Sequence, residues 1–334
     1  MPTNRKFIPK KLLFSLRHSS HALLLIFLSF FAIDIEIKAD EWALPKVAEA
    51  HMRVVPSHSG ELESQVVMGT PLKITAGRGE WYKVESPDGD SGWINQSSLI
   101  FLSDSAMSSW RGTPRVITTS LQPVEVWQDS VTASIHDRLM ILTDGAILVD
   151  EASGFGSRQK VRLPDGRKGW IDKDDVMALD AWSRQPYDPQ KILERATALK
   201  GTSYLWGGTT AKGVDCSGLV SVCFYHNGLI VPRNASQQAR IGKLIAADAL
   251  EDLEPGDLIF FGDGSNEKVT HVAIYERDGK FLHSSGEVRN NSFRPEAPNY
   301  LPRRVLFATS VKEALSKNEI KKVLAHSWFF KNEP

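Results

Sequence analysis

Through the first half of the chain, apolar and polar residues alternate in short runs interrupted by Pro-Asp-Gly turns, and one such run occurs twice. YKVESPDGDSGWI ends at Ile94 and QKVRLPDGRKGWI ends at Ile171, so Lys-Val, Pro-Asp-Gly and Gly-Trp-Ile return 77 residues apart. Period-two alternation closed by turns predicts strands, and the repetition predicts two small all-β units in tandem, over 40–103 and 113–179. Trp93 and Trp170 are expected in their cores. Between the copies, the Ser-rich SDSAMSSWRG reads as a linker over 104–112, and AWSRQPYDPQ marks a second linker over 180–187.

The period changes at Asp188. That residue offers an N-cap, Pro189 fits the first helical position, Ile192, Leu193, Ala196 and Leu199 line one face, and Gly201 stops the helix. A second helix is predicted from just after Gly213 to about Gly228, and SQQARIGKLI predicts a short third. DLIFFG, VTHVAIYE, KFLHSS and RRVLFAT then read as strands, being short, rich in β-branched or aromatic residues and separated by Asp, Gly, Asn and Pro. Ser310 and Glu313 form a capping-box pattern that predicts a helix near the end. Helices followed by antiparallel strands imply an α+β domain over 188–334.

Composition adds limits. Forty Lys and Arg balance forty Asp and Glu, so no whole-chain field would collect a polyanion, and nucleic acid is not an expected partner. Arg5, Lys6, Lys10, Lys11 and Arg17 precede the apolar ALLLIFLSFFAI, a run shorter than the roughly 20 residues of a spanning helix. With Ile37 and Ala39 before Asp40, 1–39 reads as a signal peptide that is removed. Export to the periplasm or cell envelope is expected, without stable membrane insertion. No cysteine follows the run, so no lipid-bearing thiol is expected. Nothing resembles a coiled coil, and a monomer is expected.

The chain has two cysteines, Cys216 and Cys223. Seven residues of helix separate their Cα atoms by roughly 10 Å, beyond the ~7 Å limit for a disulfide, and two thiols alone make a poor zinc site. No metal or cofactor is expected. Cys216 stands at a helix start, where the dipole favours thiolate, whereas Cys223 in VSVCFY reads as core. A thiol nucleophile needs a base and a group that orients the base. His18 and His21 belong to the leader, His51, His58 and His136 to the β units, and His226 and His326 to helix ends or surface, which leaves His271 and His283.

These two occupy adjacent strands joined by ERDGK. A two-residue Asp278-Gly279 turn would pair Arg277 with Lys280 and send the imidazoles to opposite faces. A three-residue loop would pair Glu276 with Lys280, place His283 opposite Ala273, and make His271 its diagonal neighbour within about 7–8 Å. The three-residue loop is expected. Spacing alone leaves open whether the pair is catalytic or merely two strand histidines.

YLWGG from Tyr204, DCSGL from Asp215, PRNASQQ from Pro232, LEPGDLIFF from Leu253, HVAIY from His271 and His283 twelve residues later occur in the order found in the NlpC/P60 family of papain-like cysteine peptidases. The resemblance spans about 188–309, and the two β units resemble bacterial SH3-like barrels. It implies Cys216 as nucleophile, His271 as general base and acid, and His283 as the orienting group, with the Cys216 N–H among the oxyanion donors. The tandem arrangement is similar to the γ-D-glutamyl-L-diamino acid peptidase branch, which implies a peptidoglycan stem peptide as substrate, a free N-terminal L-Ala, and release of L-Ala-D-Glu. In that comparison Asp215 and Glu61 would take the ammonium, while Tyr204 and Ser217 position the substrate backbone. Two positions depart from the pattern: Asp90 stands where relatives carry a pocket-walling tyrosine, and Ser203 replaces a proline. A wall-binding adaptor without activity, and a papain-like amidase or acyltransferase, are the alternatives.

Overall fold

The computed structural model describes residues 42–131, 134–263 and 267–331. The expected leader lies outside them. Among the described residues, no helix is long and apolar enough to cross a membrane.

The repeated sequence folds into repeated topology. Strands β1 (Trp42–Pro45), β2 (Glu49–Arg53), β3 (Leu62–Val67), β4 (Leu72–Arg78), β5 (Trp81–Glu85), β6 (Ser91–Asn95) and β7 (Leu99–Leu102) form one antiparallel sheet in the order β3-β2-β6-β5-β4-β1-β7. Strands β8 (Arg115–Thr118), β9 (Val124–Trp127), β10 (Arg138–Leu142), β11 (Ile147–Phe155), β12 (Arg158–Arg162), β13 (Lys168–Asp172) and β14 (Val176–Ala178) repeat that order as β10-β9-β13-β12-β11-β8-β14. Each sheet buries its own apolar cluster, around Met52, Leu72 and Val84 in the first and Val126, Leu148 and Val161 in the second.

Trp170 is not in that core. Side chains alternate across a strand, and Gly169 and Ile171 take the inward positions, leaving Trp170 half-buried on the other face with the Lys160 ammonium 5.6 Å from its ring centroid. Trp93 is half-buried in the same way between buried Gly92 and Ile94. The Ser-rich connector is helical. Helix α1 (Asp104–Gly112) is capped by the Ser103 hydroxyl, which accepts from Ala106 N–H, and buries Met107. The second connector contains α2 (Leu179–Ser183) with Trp182 buried, so an aromatic anchor binds what composition suggested was loose.

Helix α3 (Pro189–Ala198) begins as the sequence predicts, with the Asp188 carboxylate accepting from Gln190 N–H and Pro189 in the first turn. Helix α4 (Cys216–His226) packs against it and against a sheet. Short pairs β15 (Thr209–Thr210) with β16 (Gly213–Val214) flank its start, and β17 (Leu229–Ile230) follows its end. After α5 (Ala235–Gln238), the chain turns at Gly242 into β18 (Lys243–Ala246), so SQQARIGKLI is a helical turn and a strand rather than one helix.

Strands β19 (Leu258–Phe261), β20 (His271–Arg277), β21 (Lys280–Ser285), β22 (Glu287–Ser292) and β23 (Val305–Ser310) complete a six-stranded sheet ordered β18-β23-β19-β20-β21-β22. Helix α6 (Val311–Ser316) follows, capped by Ser310, and β24 (Lys321–Lys322) pairs with β17. Val272, Ile274 and Leu282 face α4, joining Ile192, Leu219, Val220 and Phe224 in the main core. Ala273 and Phe281, on the other face, pack with Ile259, Phe261 and Ala308. Each fully buried Leu, Val, Ile or Phe contributes roughly 1.5–3 kcal/mol, which explains how α4 holds its β-branched VSV stretch as helix. The overall class is α+β behind all-β sheets.

Candidate active site

Asp215 sets the start of α4. Its backbone is extended (φ −84°, ψ −177°), and its Oδ1 accepts from Gly218 N–H at 2.7 Å. Oδ1 also accepts from Ser217 Oγ at 3.1 Å and from Arg233 at 3.0 Å, while Oδ2 accepts from Gly207 N–H at 2.9 Å and from a second Arg233 nitrogen at 2.6 Å. A carboxylate offers about four lone-pair sites, and these five donors occupy them. Asp215, expected to receive a substrate ammonium, is therefore spent within the protein, its charge balanced by an arginine only 1% exposed. The Ser217 hydroxyl is likewise engaged, donating to Asp215 and accepting from Arg233 at 3.0 Å.

Arg233 and Gln238 explain why PRNASQQ accompanies DCSGL. The Gln238 amide donates to Ser217 O at 3.2 Å and Pro232 O at 2.8 Å, while Arg233 Nε crosses to Ser64 Oγ on β3 at 3.1 Å. Neither residue was singled out from sequence. An arginine followed five residues later by glutamine looks like solvated loop, and only burial shows both as braces. The YLWGG loop closes on the same turn. A Cβ on Gly218 would lie 2.0 Å from Gly208 O, and one on Gly207 (φ +74°) would lie 2.5 Å from Leu62 O on β3.

Cys216 is 8% exposed, and its sulfur accepts from the Val272 and Ser217 amides. Burial pushes its thiol above the ordinary range, and the Asp215 carboxylate adds to the rise; the two amide donors and Arg233 oppose it. The helix start alone therefore does not set this thiol, since desolvation and the N-capping carboxylate both act against the expected thiolate. Cys223 is fully buried in the core, and both cysteines are free thiols.

Val272 lies next to His271. His271 Nε2 and His283 Nδ1 are 2.8 Å apart, and His283 Nε2 and Asn291 Oδ1 are also 2.8 Å apart. The protons follow from the far end. Asn291 Nδ2 donates to Asn299 O at 2.7 Å, so Oδ1 is the atom facing His283. His283 Nε2–H then donates to it, His283 Nδ1 accepts from His271 Nε2–H, and His271 Nδ1 keeps an unprotonated lone pair, an assignment made from the network. Burial, followed by the charges of His283 and Arg303, pushes His271 down to about 2. Burial likewise pushes His283 down to about 4, opposed by its bond to Asn291. At neutral pH the resting groups are thiol and neutral imidazoles.

The hairpin reaches this arrangement by a different loop from the one expected. Asp278 (φ +53°) and Gly279 (φ +77°) make a two-residue turn closing on Arg277 and Lys280, yet Tyr275 pairs with Phe281 and Ile274 with Leu282. A β-bulge at Glu276 supplies the extra residue. It restores the register in which Ala273 opposes His283, so the imidazoles share a face despite the tight turn.

Tyr204 is half-buried beside this group. Its hydroxyl is pushed up to about 12 by burial and then by the neighbouring Cys216 and Asp215. Glu61 is exposed just before β3 and makes none of the site's hydrogen bonds; its backbone carbonyl accepts from Val54 N–H at 3.0 Å. Asp90 is 8% exposed with one carboxylate oxygen buried and unbonded, and burial, then Asp88 and Glu63, push it up to about 7. A mainly apolar cavity of about 120 Å³, lined by Val66, Tyr225, Ile230 and Phe329 among others, lies between the β units and α4; none of Cys216, His271 and His283 lines it.

A buried thiol at a helix start, amide donors around its sulfur, and an imidazole oriented through a second imidazole define a cysteine peptidase. Residues 201–309 match the NlpC/P60 family and residues 46–100 the bacterial SH3 domain. The chain thus carries an NlpC/P60 domain behind a bacterial SH3 domain, and it is a cysteine peptidase. It is 27% identical over 279 residues to the gamma-D-glutamyl-L-lysine dipeptidyl-peptidase of Bacillus cereus, covering 78% of this chain and 79% of that protein. A protein of the same name from Bacillus subtilis is 28% identical over 232 residues, covering 67% and 72%. Dipeptidyl-peptidase 6 of Lysinibacillus sphaericus is 26% identical over 264 residues, covering 75% and 91%. A crystal structure of an NlpC/P60 family protein from Bacillus cereus shares the fold, with a TM-score of 0.67 at 21% identity over 80% of this chain and 99% of that one.

Proposed function

We propose that the protein hydrolyses the γ-D-glutamyl–diamino acid amide bond of peptidoglycan stem peptides, acting on peptides with a free N-terminal L-Ala and releasing L-Ala-D-Glu. The observation that carries this reading is the hydrogen-bonded line His271–His283–Asn291 beside the buried Cys216. The relatives named gamma-D-glutamyl-L-lysine dipeptidyl-peptidase, matched over most of the chain, support the choice of bond.

His271 Nδ1 takes the Cys216 proton as the sulfur attacks the scissile carbonyl carbon, and the negative oxygen faces the amide donors at the start of α4. The imidazolium returns that proton to the leaving amine as the C–N bond breaks, leaving a thioester. Water, deprotonated by the freed imidazole, then releases the acid and restores the thiol. His283 and Asn291 hold the tautomer throughout. Tyr204 and Ser217 border the substrate backbone. Because Arg233 already balances Asp215, selection of a free ammonium falls to the first β unit, where Glu63 and Asp90 supply acids without an ion-pair partner. The acting chain is exported to the cell envelope as a monomer, its peptidase domain starting at Asp188.

Incubation with L-Ala-γ-D-Glu-diaminopimelate, intact or N-acetylated, followed by mass spectrometry tests the reading. The expected result is L-Ala-D-Glu from the free-amine peptide alone. Equal cleavage of both peptides would remove the amine requirement, and a fully active Cys216→Ala variant would overturn the mechanism.

A further inference from the structure

The match to the peptidase family ends at residue 309, and the chain beyond it packs against both β units. Lys321 and Lys322 pair with β17, and Val323 N–H donates to Gly228 O at 2.9 Å. Phe329, fully buried, joins Ile117, Ile147, Leu179 and Trp182, while the Trp328 ring stands edge-on to Trp42 at 5.2 Å between centroids. Between these anchors lies His326, half-buried. Its Nδ1 accepts from Trp328 N–H at 3.2 Å, so Nε2 carries the proton and donates to Pro87 O, also at 3.2 Å and 239 residues away. Burial is the largest influence on this imidazole and keeps it below its ordinary value, hence neutral at pH 7.

Pro87 belongs to the turn that joins β5 and β6, and this turn is closed on itself. Ser86 N–H donates to Asp90 O and Gly89 N–H to Ser86 O, both at 2.9 Å, and Asp90 N–H donates to Asp88 Oδ1 at 3.2 Å. It moves as one piece, with Asp90 at its end. On one side Ser86, Pro87 and Asp88 line the apolar cavity, together with Phe329 of the C-terminal arm, so close packing does not hold the turn there. Among the described residues, the bond from His326 is the only hydrogen bond that reaches residues 86–90 from outside the first β unit. The charges of Asp88 and Asp90 act on Arg233, which binds Asp215 at the start of α4, so the turn lies near the nucleophile's helix. We propose that His326 is a positioning residue for specificity, holding the β5–β6 turn where Asp90 receives the substrate ammonium, an inference that rests on the free-amine reading above. Without the Nε2–H the turn relaxes toward the cavity and takes Asp90 with it, while Cys216, His271 and His283 stay in place.

The test measures kcat and KM for L-Ala-γ-D-Glu-diaminopimelate and its N-acetylated form in the parent, His326→Phe, His326→Gln, Asp90→Asn and the double variant of His326→Phe with Asp90→Asn. His326→Phe keeps a ring against Trp328 and Phe329 but has no N–H. It should raise KM for the free-amine peptide by about three- to tenfold, the range of one net hydrogen bond, with kcat and the N-acetylated peptide little changed. His326→Gln, which restores an N–H, should recover most of that loss. In the Asp90→Asn background His326→Phe should add nothing further, because the group it positions is already gone. Should the Phe variant fail to fold, His326→Met, flexible and equally without a donor, gives the same reading. A merely structural histidine would lower the melting temperature and slow both peptides alike, leaving their ratio intact, and that result, or losses that add in the double variant, would overturn the proposal. If the parent itself cleaves both peptides equally, the free-amine reading fails and takes this inference with it; an amine-selective parent whose ratio survives His326→Phe overturns this inference alone.

Discussion

Asn291 anchors the line of hydrogen bonds that leaves His271 Nδ1 free to accept a proton. Replacing it with alanine should lower kcat by about ten- to a hundredfold with little change in KM, since a bond supporting the developing imidazolium is lost while substrate contacts remain. Steady-state kinetics on the γ-glutamyl peptide checks this, and a change confined to KM would count against the role. The pH dependence follows from burial. His271 and His283 are lowered to about 2 and about 4, so the acid limb of kcat/KM should fall below the ordinary imidazole value of about 6.5. A limb at or above that value would show that the histidines are not kept neutral in solution. The linked stability has the same sign: with folded values depressed, it is present above about 6.5 and lost as pH falls through about 4. The placement of Cys216 at the start of a helix and of His271 and His283 on one face of adjacent strands was legible from local pattern. Asn291 was not, because EVRNNS is polar enough to pass for loop, and its strand exists only through pairing with β21. The raised thiol was illegible too, since a dipole is read locally whereas desolvation depends on what packs on top.

At the scale of elements, the start of α4 works as a lock whose parts lie far apart in sequence. A methyl group at Gly218 would press into Gly208 O, so Gly218→Ala should cost roughly 1–3 kcal/mol, as overpacking does. Activity should fall further than stability, because the displaced loop also carries Tyr204. Thermal unfolding and kinetics on the same preparation separate the two losses; an unchanged melting temperature with full activity would show that the loop yields freely. The elements themselves were largely readable. Asp188 and Pro189 announced α3, and the strands of DLIFFG, VTHVAIYE and KFLHSS stand where alternation put them. The hairpin is more instructive: the face of each histidine was right although the loop was not, since a tight turn with a bulge and a longer loop give the same register. Composition misled in the connectors, where a serine-rich stretch supplied its own N-cap and buried Met107.

Across the whole molecule, the β units are fastened to the peptidase domain by buried polar contacts. Asp144 pairs with Arg195, both nearly inaccessible, and Thr209 donates two hydrogen bonds to Gln65, from its amide and its hydroxyl, at 3.0 Å each. Asp90 is less well partnered, a buried acid with one unbonded oxygen. Its raised value means that the unfolded chain ionises first, so stability is lost as pH rises from about 4 through about 7. Asp90→Asn should therefore stabilise the protein by about 1–3 kcal/mol at pH 8 and by less at pH 5. Melting temperatures of both proteins at each pH check this, and equal gains at the two would rule out ionisation as the cause. The repeat was visible in sequence as a spacing, whereas its attachment was not, because no single residue announces a partner 51, 144 or 169 positions away. Arg233 makes that attachment consequential, for one side chain holds both Asp215 at the nucleophile's helix and Ser64 in the first β unit. Gene-level shuffling that detached the barrel would leave this guanidinium with one support missing and the glycine loop facing solvent. The two modules are thus inherited as one working part, and a change of barrel is also a change in the foundation of the nucleophile.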